Sequence, residues 1–401
     1  MRIMIVALGT MGDVAPYTGL ATRLHGAGHE VSVAAYPRFA EMIRGIGVAF
    51  REIPGDPAVE GEWTQAENSR QAARGVAGKS LELGESILAA AKQGTDLLLL
   101  SMSGQVGIHV AESLGIPSMG VFLQPIIPTR EFPPSFLGVT GSLGSWGNRA
   151  AAQLVIGAMS RMMKGATKEL RSRLGLPETA DHERGLAWPI LHGYSPSVLP
   201  RPADWRPSLQ VAGYFWPEMR KDWRPPQELV DFLESGPPPV YIGFGSRRIA
   251  DAARIAALVE QALRQAGARG VISAGWSELA ARSETTITIG ETPHEWLFPR
   301  MAAVVHHCGA GTTGAGLRAG VPTVGVPILG DQPFWAGRVA ALGAGPAPIP
   351  YKKLSAERLG AAISAAVSNP AYRQAAARIG ERIAAEDGAG AGHAAVERLE
   401  G

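Results

Sequence analysis

Short apolar runs alternate with longer stretches of helical spacing along almost the whole chain. In the first part, residues 2–8, 31–35, 48–53, 96–100 and 118–121 are apolar enough for strands buried on both faces. Between them, residues 16–27, 38–45, 65–92 and 104–114 have helical spacing or composition. Strands and helices in alternation predict βαβ units around a parallel sheet. The rhythm breaks over residues 122–147, where Pro125, Pro128, Pro133 and Pro134 predict loop. Residues 148–174 then predict one long helix, ended by Gly175 and Pro177.

A Pro-, Trp- and charge-rich stretch follows at 213–239, closing on Gly236-Pro237-Pro238-Pro239, and predicts a linker. Beyond it the alternation restarts. Strands are expected at 240–244, 270–273, 286–289, 303–306 and 323–327, with helices at 251–265, 312–319, 332–342, 355–367 and over the last thirty or so residues. Two doubly wound α/β domains in tandem account for this pattern and for the length of 401 residues. Ligands of such domains sit at the carboxyl ends of the strands, hence between the two sheets.

Composition narrows the function classes. With 46% hydrophobic and 18% charged residues the chain has ample apolar content for packed cores, which excludes disorder. No apolar run reaches the roughly 18–20 residues of a membrane span. The opening apolar run is broken too soon, by Gly9 and Gly12, for a signal peptide, so a cytoplasmic location is expected. A net charge of +2 argues against a nucleic-acid partner. The single cysteine excludes a disulfide framework and any Cys-rich metal site. His25 and His29 stand four apart, but Gly26 and Gly28 break that helix, and a zinc site is rejected.

The densest candidate chemistry is His306-His307-Cys308-Gly309-Ala310-Gly311-Thr312-Thr313, directly after an expected strand and opening an expected helix. Glycines let the backbone approach a ligand, and a helix start offers free N–H groups and a partial positive charge to an anion. Thr312 and Thr313 add hydroxyls and His307 a ring N–H, a set suited to a diphosphate; the alternative is an ordinary Gly-rich turn. Cys308 reads as a small buried residue of that loop rather than a nucleophile. One βα unit later, Asp331-Gln332 pairs a carboxylate with an amide, which suits neighbouring sugar hydroxyls, or else caps the next helix. At the other end, Asp13 in Gly9-Thr10-Met11-Gly12-Asp13 is positioned to take a proton from an acceptor hydroxyl, or is a turn or cap aspartate. The same loop speaks against a dinucleotide site, which needs G-x-G-x-x-G and an acid after the second strand; here that strand ends Ala34-Ala35-Tyr36. No G-x-x-x-x-G-K-[ST] phosphate loop and no Asp-x-Asp metal motif is present.

Carrying these residues, the chain resembles the GT-B glycosyltransferases of the UDP-glycosyltransferase superfamily, most like the bacterial branch with glycopeptide-antibiotic glycosyltransferases and sterol 3-β-glucosyltransferase-like enzymes. The likeness rests on residues 9–16 (GTMGDVAP), 236–246 (GPPPVYIGFGS), 275–279 (GWSEL), 292–298 (TPHEWLF), 306–322 (HHCGAGTTGAGLRAGVP) and 330–339 (GDQPFWAGRV). It is weakest at 55–95 and 122–215, which shape the acceptor site in that family. The resemblance implies a GT-B fold of two Rossmann-like domains facing each other across a cleft. It divides the chain into an acceptor domain (1–212), a linker (213–239), a nucleotide-sugar domain (240–380) and a C-terminal helix (381–401) returning to the first domain.

By position it implies that Asp13 is the general base, with Thr10 and Gly12 lining its loop toward the donor sugar. Ser246, His307, Gly309, Gly311, Thr312 and Thr313 would bind the diphosphate, Trp276, Thr292 and His294 the base and ribose, and Asp331 and Gln332 the sugar. The bacterial branch of the family more often has glycine where Cys308 stands, while plant members carry cysteine, and Arg247-Arg248 is a further departure. The reaction implied is inverting, metal-independent transfer of a hexose from a UDP- or dTDP-sugar, with no cofactor. Trp63, Phe122, Phe132, Phe136 and Trp146 suggest an apolar acceptor pocket for a polyketide, macrolide, sterol-like or aromatic aglycone, or else cap the core. A glycopeptide acceptor, a nucleotide-sugar epimerase of the same design, a non-catalytic helper and a membrane-surface enzyme using the basic stretch 149–173 are the other readings.

Overall fold

The computed structural model describes residues 1–56, 69–178, 187–219, 223–245, 252–274 and 284–400. Seven parallel strands form the first sheet: β1 (Arg2–Val6), β2 (Glu30–Ala35), β3 (Ala49–Glu52), β4 (Leu97–Leu100), β5 (Ser118–Phe122), β6 (Ile190–His192) and β7 (Leu209–Val211). Their order is β3-β2-β1-β4-β5-β6-β7. The second sheet comprises β8 (Val240–Gly243), β9 (Gly270–Ser273), β10 (Thr286–Ile289), β11 (Ala303–His306) and β12 (Thr323–Gly325), in the order β10-β9-β8-β11-β12. Both sheets are parallel throughout, and central strands such as the Leu97–Leu100 run are buried at every position, as covering on both faces requires.

In each sheet the order reverses beside its first strand, between β1 and β4 and between β8 and β11. The loops leaving β1 and β11 therefore stand at topological switch points, where doubly wound sheets bind ligands.

Helices α1 (Met11–Gly26), α2 (Ala40–Gly45), α3 (Ser69–Ala91), α4 (Gly107–Leu114) and α5 (Gly144–Arg173) accompany the first sheet. Gly175, at φ +71°, ends the long α5 one residue beyond its cap. The pattern at 213–239 predicts linker throughout, but α6 (Gln227–Glu234) forms there. Its Leu229 is buried with Tyr241, Ile287 and Leu297, so this short helix is core of the second unit. Strands β6 and β7, three residues each, also escape the pattern.

The second sheet is covered by α7 (Ala252–Ala266), α8 (His294–Leu297), α9 (Ala310–Arg318), α10 (Gln332–Ala341), α11 (Ala356–Ser368) and α12 (Pro370–Ala384). Helix α13 (Gly388–Glu400) then crosses back. Its Ala395 and Val396 are buried with Tyr17, Leu20 and Leu24 of α1, and Arg23–Asp387 (2.9 Å) and Arg398–Gln210 (2.9 Å) hold its flanks. No helix among the described residues is long and apolar enough to cross a membrane.

The two halves meet through α10. Phe334 packs edge-on to Phe132 (5.6 Å between centroids) and Trp335 to Tyr194 (5.9 Å), while Arg338 Nη2 donates to the Val198 carbonyl at 2.7 Å. A methyl at Gly337 would strike the Thr140 carbonyl, so the helix lies directly on the loop before α5.

Candidate active site

Gly9 leaves β1 at φ +132°, a conformation suited to glycine, and a Cβ there would lie 2.6 Å from Asp13 Oδ2. The tight turn lets Asp13, three residues into α1, fold back on its own helix start. Thr10 N–H and Thr10 Oγ1 both donate to Asp13 Oδ2, each at 2.9 Å. The cap and base readings of Asp13 are thus compatible, because capping consumes one oxygen and leaves Oδ1. That oxygen is approached by Gln124 Nε2 at 3.5 Å, from the loop two residues beyond β5. Gly12, exposed, has free space around it.

In the second half the loop after β11 holds His307 between two glycines. A Cβ at Gly245 would lie 2.9 Å from the imidazole, and one at Gly309 would lie 2.8 Å from Nε2. Only glycine-lined backbone admits the ring there. Cys308 adopts φ +62°, the left-handed region that disfavours residues with a Cβ. Its thiol is fully buried, and burial pushes its pKa up to about 12. Helix α9 then starts at Ala310 with no side chain capping it, leaving the first-turn N–H groups of Ala310, Gly311 and Thr312 for a ligand. Thr312 is half-buried. Thr313 is not part of this surface: it is fully buried, and its N–H is bound to the Gly309 carbonyl (2.9 Å).

Asp331 stands at the start of α10, yet its side chain caps nothing; Oδ2 accepts instead from Trp335 Nε1 at 2.8 Å. Burial, with a smaller contribution from the Asp13 charge, pushes its carboxyl up to about 6 despite that bond. Gln332 Oε1 accepts from Ile328 N–H (2.8 Å) and Leu329 N–H (3.1 Å), which fixes the side chain and leaves its amide N–H groups to donate. His294 stacks on Phe298 (4.2 Å) and meets Tyr241 edge-on (5.9 Å); burial first, then His307, pushes it down to about 4, so it is neutral. Thr292 Oγ1 donates to the Gly290 carbonyl in its own turn (3.2 Å). Ser246, Trp276, Trp63 and Arg247-Arg248 lie outside the described residues.

The expected acceptor aromatics are not gathered. Phe122 is fully buried at the end of β5 against Trp188 and His192, a core residue because its strand is covered on both faces. Phe132 is buried between Trp205 and Phe334 and serves the contact between halves. Phe136 and Trp146 are 43% and 85% exposed.

Two residues of the site were not singled out from the sequence. Gln124 carries the signal of a polar residue that ends the apolar run Val121-Phe122-Leu123 at the carboxyl edge. Trp335 stands four residues after Asp331 and so on the same helix face, a spacing already visible in the DQPFW motif. Among the described residues no three His, Cys, Asp or Glu side chains are gathered to hold a metal ion.

Residues 3–133 match the glycosyltransferase family 28 N-terminal domain, and residues 275–390 match the erythromycin biosynthesis protein CIII-like C-terminal domain. The chain is 35% identical over 387 residues to sterol 3-beta-glucosyltransferase UGT80A2 of Arabidopsis thaliana, covering 91% of this chain and 60% of the relative. It is 35% identical over 411 residues to the sterol 3-beta-glucosyltransferase of Yarrowia lipolytica, covering 97% of this chain and 28% of that protein. The chain thus spans less than two thirds of these relatives. Among solved structures, the glycotransferase of kitacinnamycin superposes with a TM-score of 0.75 at 18% identity, covering 99% of this chain and 98% of the other. Glycosyltransferase VinC in complex with DTDP superposes with a TM-score of 0.70 at 20% identity over the whole of both chains. These structural likenesses show a shared fold.

Proposed function

We propose that the chain is a GT-B glycosyltransferase that transfers a hexose from a UDP- or dTDP-sugar to a hydroxyl of an apolar natural product, with inversion and without a metal. The observation that carries this reading is the state of two carboxylates, each on a loop at the carboxyl edge of its sheet: Asp13 has one oxygen left by its cap, and Asp331 has its carboxyl turned away from capping. Asp13 Oδ1 takes the proton of the acceptor hydroxyl as its oxygen bonds to the anomeric carbon. The bond from that carbon to the diphosphate breaks, and the electron pair leaves with the phosphate oxygen. Attack opposite the leaving group turns an α-linked donor into a β-linked product.

The leaving charge meets the free amides of α9, the positive end of its dipole, and His307, donors fixed in place before the reaction. Each such donor is worth about 3 kcal/mol where mutation has measured it. Asp331 and the Gln332 amide hold sugar hydroxyls from the opposite side. The nucleotide reading is supported by the dTDP bound to a protein of the same fold, and a sterol-like acceptor by the plant and fungal relatives.

Incubation with UDP-glucose or dTDP-glucose and a panel of sterols, macrolides and aromatic polyketides, in the presence of EDTA, tests the reading. A mass gain of one hexose on an acceptor and a β-anomeric proton by NMR are expected. An epimerised sugar formed from donor alone, or transfer that EDTA abolishes, contradicts it.

A further inference from the structure

His306 closes β11 and is fully buried, after the apolar residues Ala303, Val304 and Val305 of the same strand. Burial first, then the neighbouring His307 and His294, pushes its pKa well below the ordinary value, so the ring is neutral. Nδ1 accepts from the Cys308 backbone N–H at 2.9 Å, which places the ring proton on Nε2. That Nε2 is sealed in the core without a partner. A leucine would fill much of the same space and bury no unpaired donor, so histidine stands here at a cost to stability. What sets it apart from leucine is the bond at Nδ1.

Cys308 is where that bond matters. Among the described residues it is the one non-glycine with positive φ, +62°, a region a Cβ disfavours. On either side of it stand the groups assigned to the diphosphate: His307, and the uncapped N–H groups that open α9. His306 itself is fixed in the sheet. It pairs with Gly243 of β8 and Gly325 of β12, and its carbonyl accepts from the Val326 N–H at 2.8 Å. The imidazole therefore ties a strained loop residue to a rigid point of the strand. On the far side the Cys308 sulfur fits because Gly325 has no Cβ, which would lie 2.8 Å from it.

We propose that His306 is a positioning residue for the donor: its Nδ1 holds Cys308 in the left-handed conformation and so keeps His307 and the first amides of α9 in place before a diphosphate arrives. The inference rests on the reading of this loop as the diphosphate site. Without the bond, the loop relaxes to backbone angles that suit a Cβ, and nucleotide binding has to restore the strained form. The cost of one left-handed residue corresponds to a loss of about tenfold in affinity.

Calorimetric titration of the intact chain with UDP and dTDP provides the test. Asparagine carries Oδ1 as many bonds from the backbone as Nδ1 is in histidine, and leucine carries a methyl there at similar volume. His306→Asn is expected to bind within about threefold of the wild type and His306→Leu about tenfold more weakly, each with a cooperative thermal transition. Adding Cys308→Gly to His306→Leu should recover most of the loss, because glycine takes positive φ unaided. A contribution through packing would instead worsen as the buried sulfur is removed. Should leucine unfold the chain, His306→Phe, a ring without an acceptor, takes its place. In the wild type, ¹⁵N spectra of the imidazole should show His306 protonated at Nε2. Equal affinity of the Asn and acceptor-free variants, no recovery with glycine, or a proton on Nδ1 would overturn the proposal. A wild-type chain that binds neither nucleotide would instead overturn the reading of the loop, and this inference with it.

Discussion

One carboxylate can serve two roles when its oxygens are used separately, and Asp13 is built that way: Oδ2 closes the start of α1, Oδ1 stays at the sheet edge beside Gln124. Asp13→Asn keeps an oxygen for the cap and loses the base. Transfer should fall by about 10²–10⁴-fold with UDP affinity unchanged, read by steady-state rates and calorimetry. Asp331 yields a pH dependence whose sign follows from its raised carboxyl pKa. Above about 6 it is ionised and accepts from sugar hydroxyls; below that it is protonated and loses this capacity. The affinity advantage of UDP-glucose over UDP should therefore grow as pH rises through about 6, and Asp331→Asn should flatten it. Cys308, buried with its thiol at about 12, should resist iodoacetamide at pH 8 in the native protein and react once the chain is unfolded in guanidinium.

At the scale of elements, the strand-to-helix loops were legible because glycines and polar residues mark them after unbroken apolar runs; β9, β10 and β11 begin and end where the pattern predicts. The start of α1 was not. Pro16 suggested a first helical turn there, but the Thr10–Asp13 cap begins the helix at Met11 and leaves Pro16 inside it. Strands β6 and β7 are too short to show periodicity, and α6 is hidden among prolines that predict linker. Its apolar face becomes evident only where Leu229 meets β10 and α8. Phe122 and Phe132 lie in packed core for a related reason, since composition cannot tell a pocket wall from a core. Helix α13 is the element whose removal should matter most for its size. Val396→Asp would bury an unpaired charge beneath α1 and should cost about 3 kcal/mol or more in urea unfolding.

At the scale of the whole molecule, two switch points on separate sheets are brought together by α10 lying against the first half and by α13 crossing back. Neither sheet alone holds both carboxylates. The cleft between them carries the central claim, that the second half grips a sugar diphosphate by backbone amides and His307 while the first half supplies the base. A crystal structure of the chain with UDP or dTDP and an inert sugar-donor analogue tests it most directly. The diphosphate is expected on the N–H groups of Ala310–Thr312, the sugar between Asp331 and Gln332, and Asp13 Oδ1 facing the anomeric carbon. A nucleotide bound away from α9, or an anomeric carbon turned from Asp13, would contradict it.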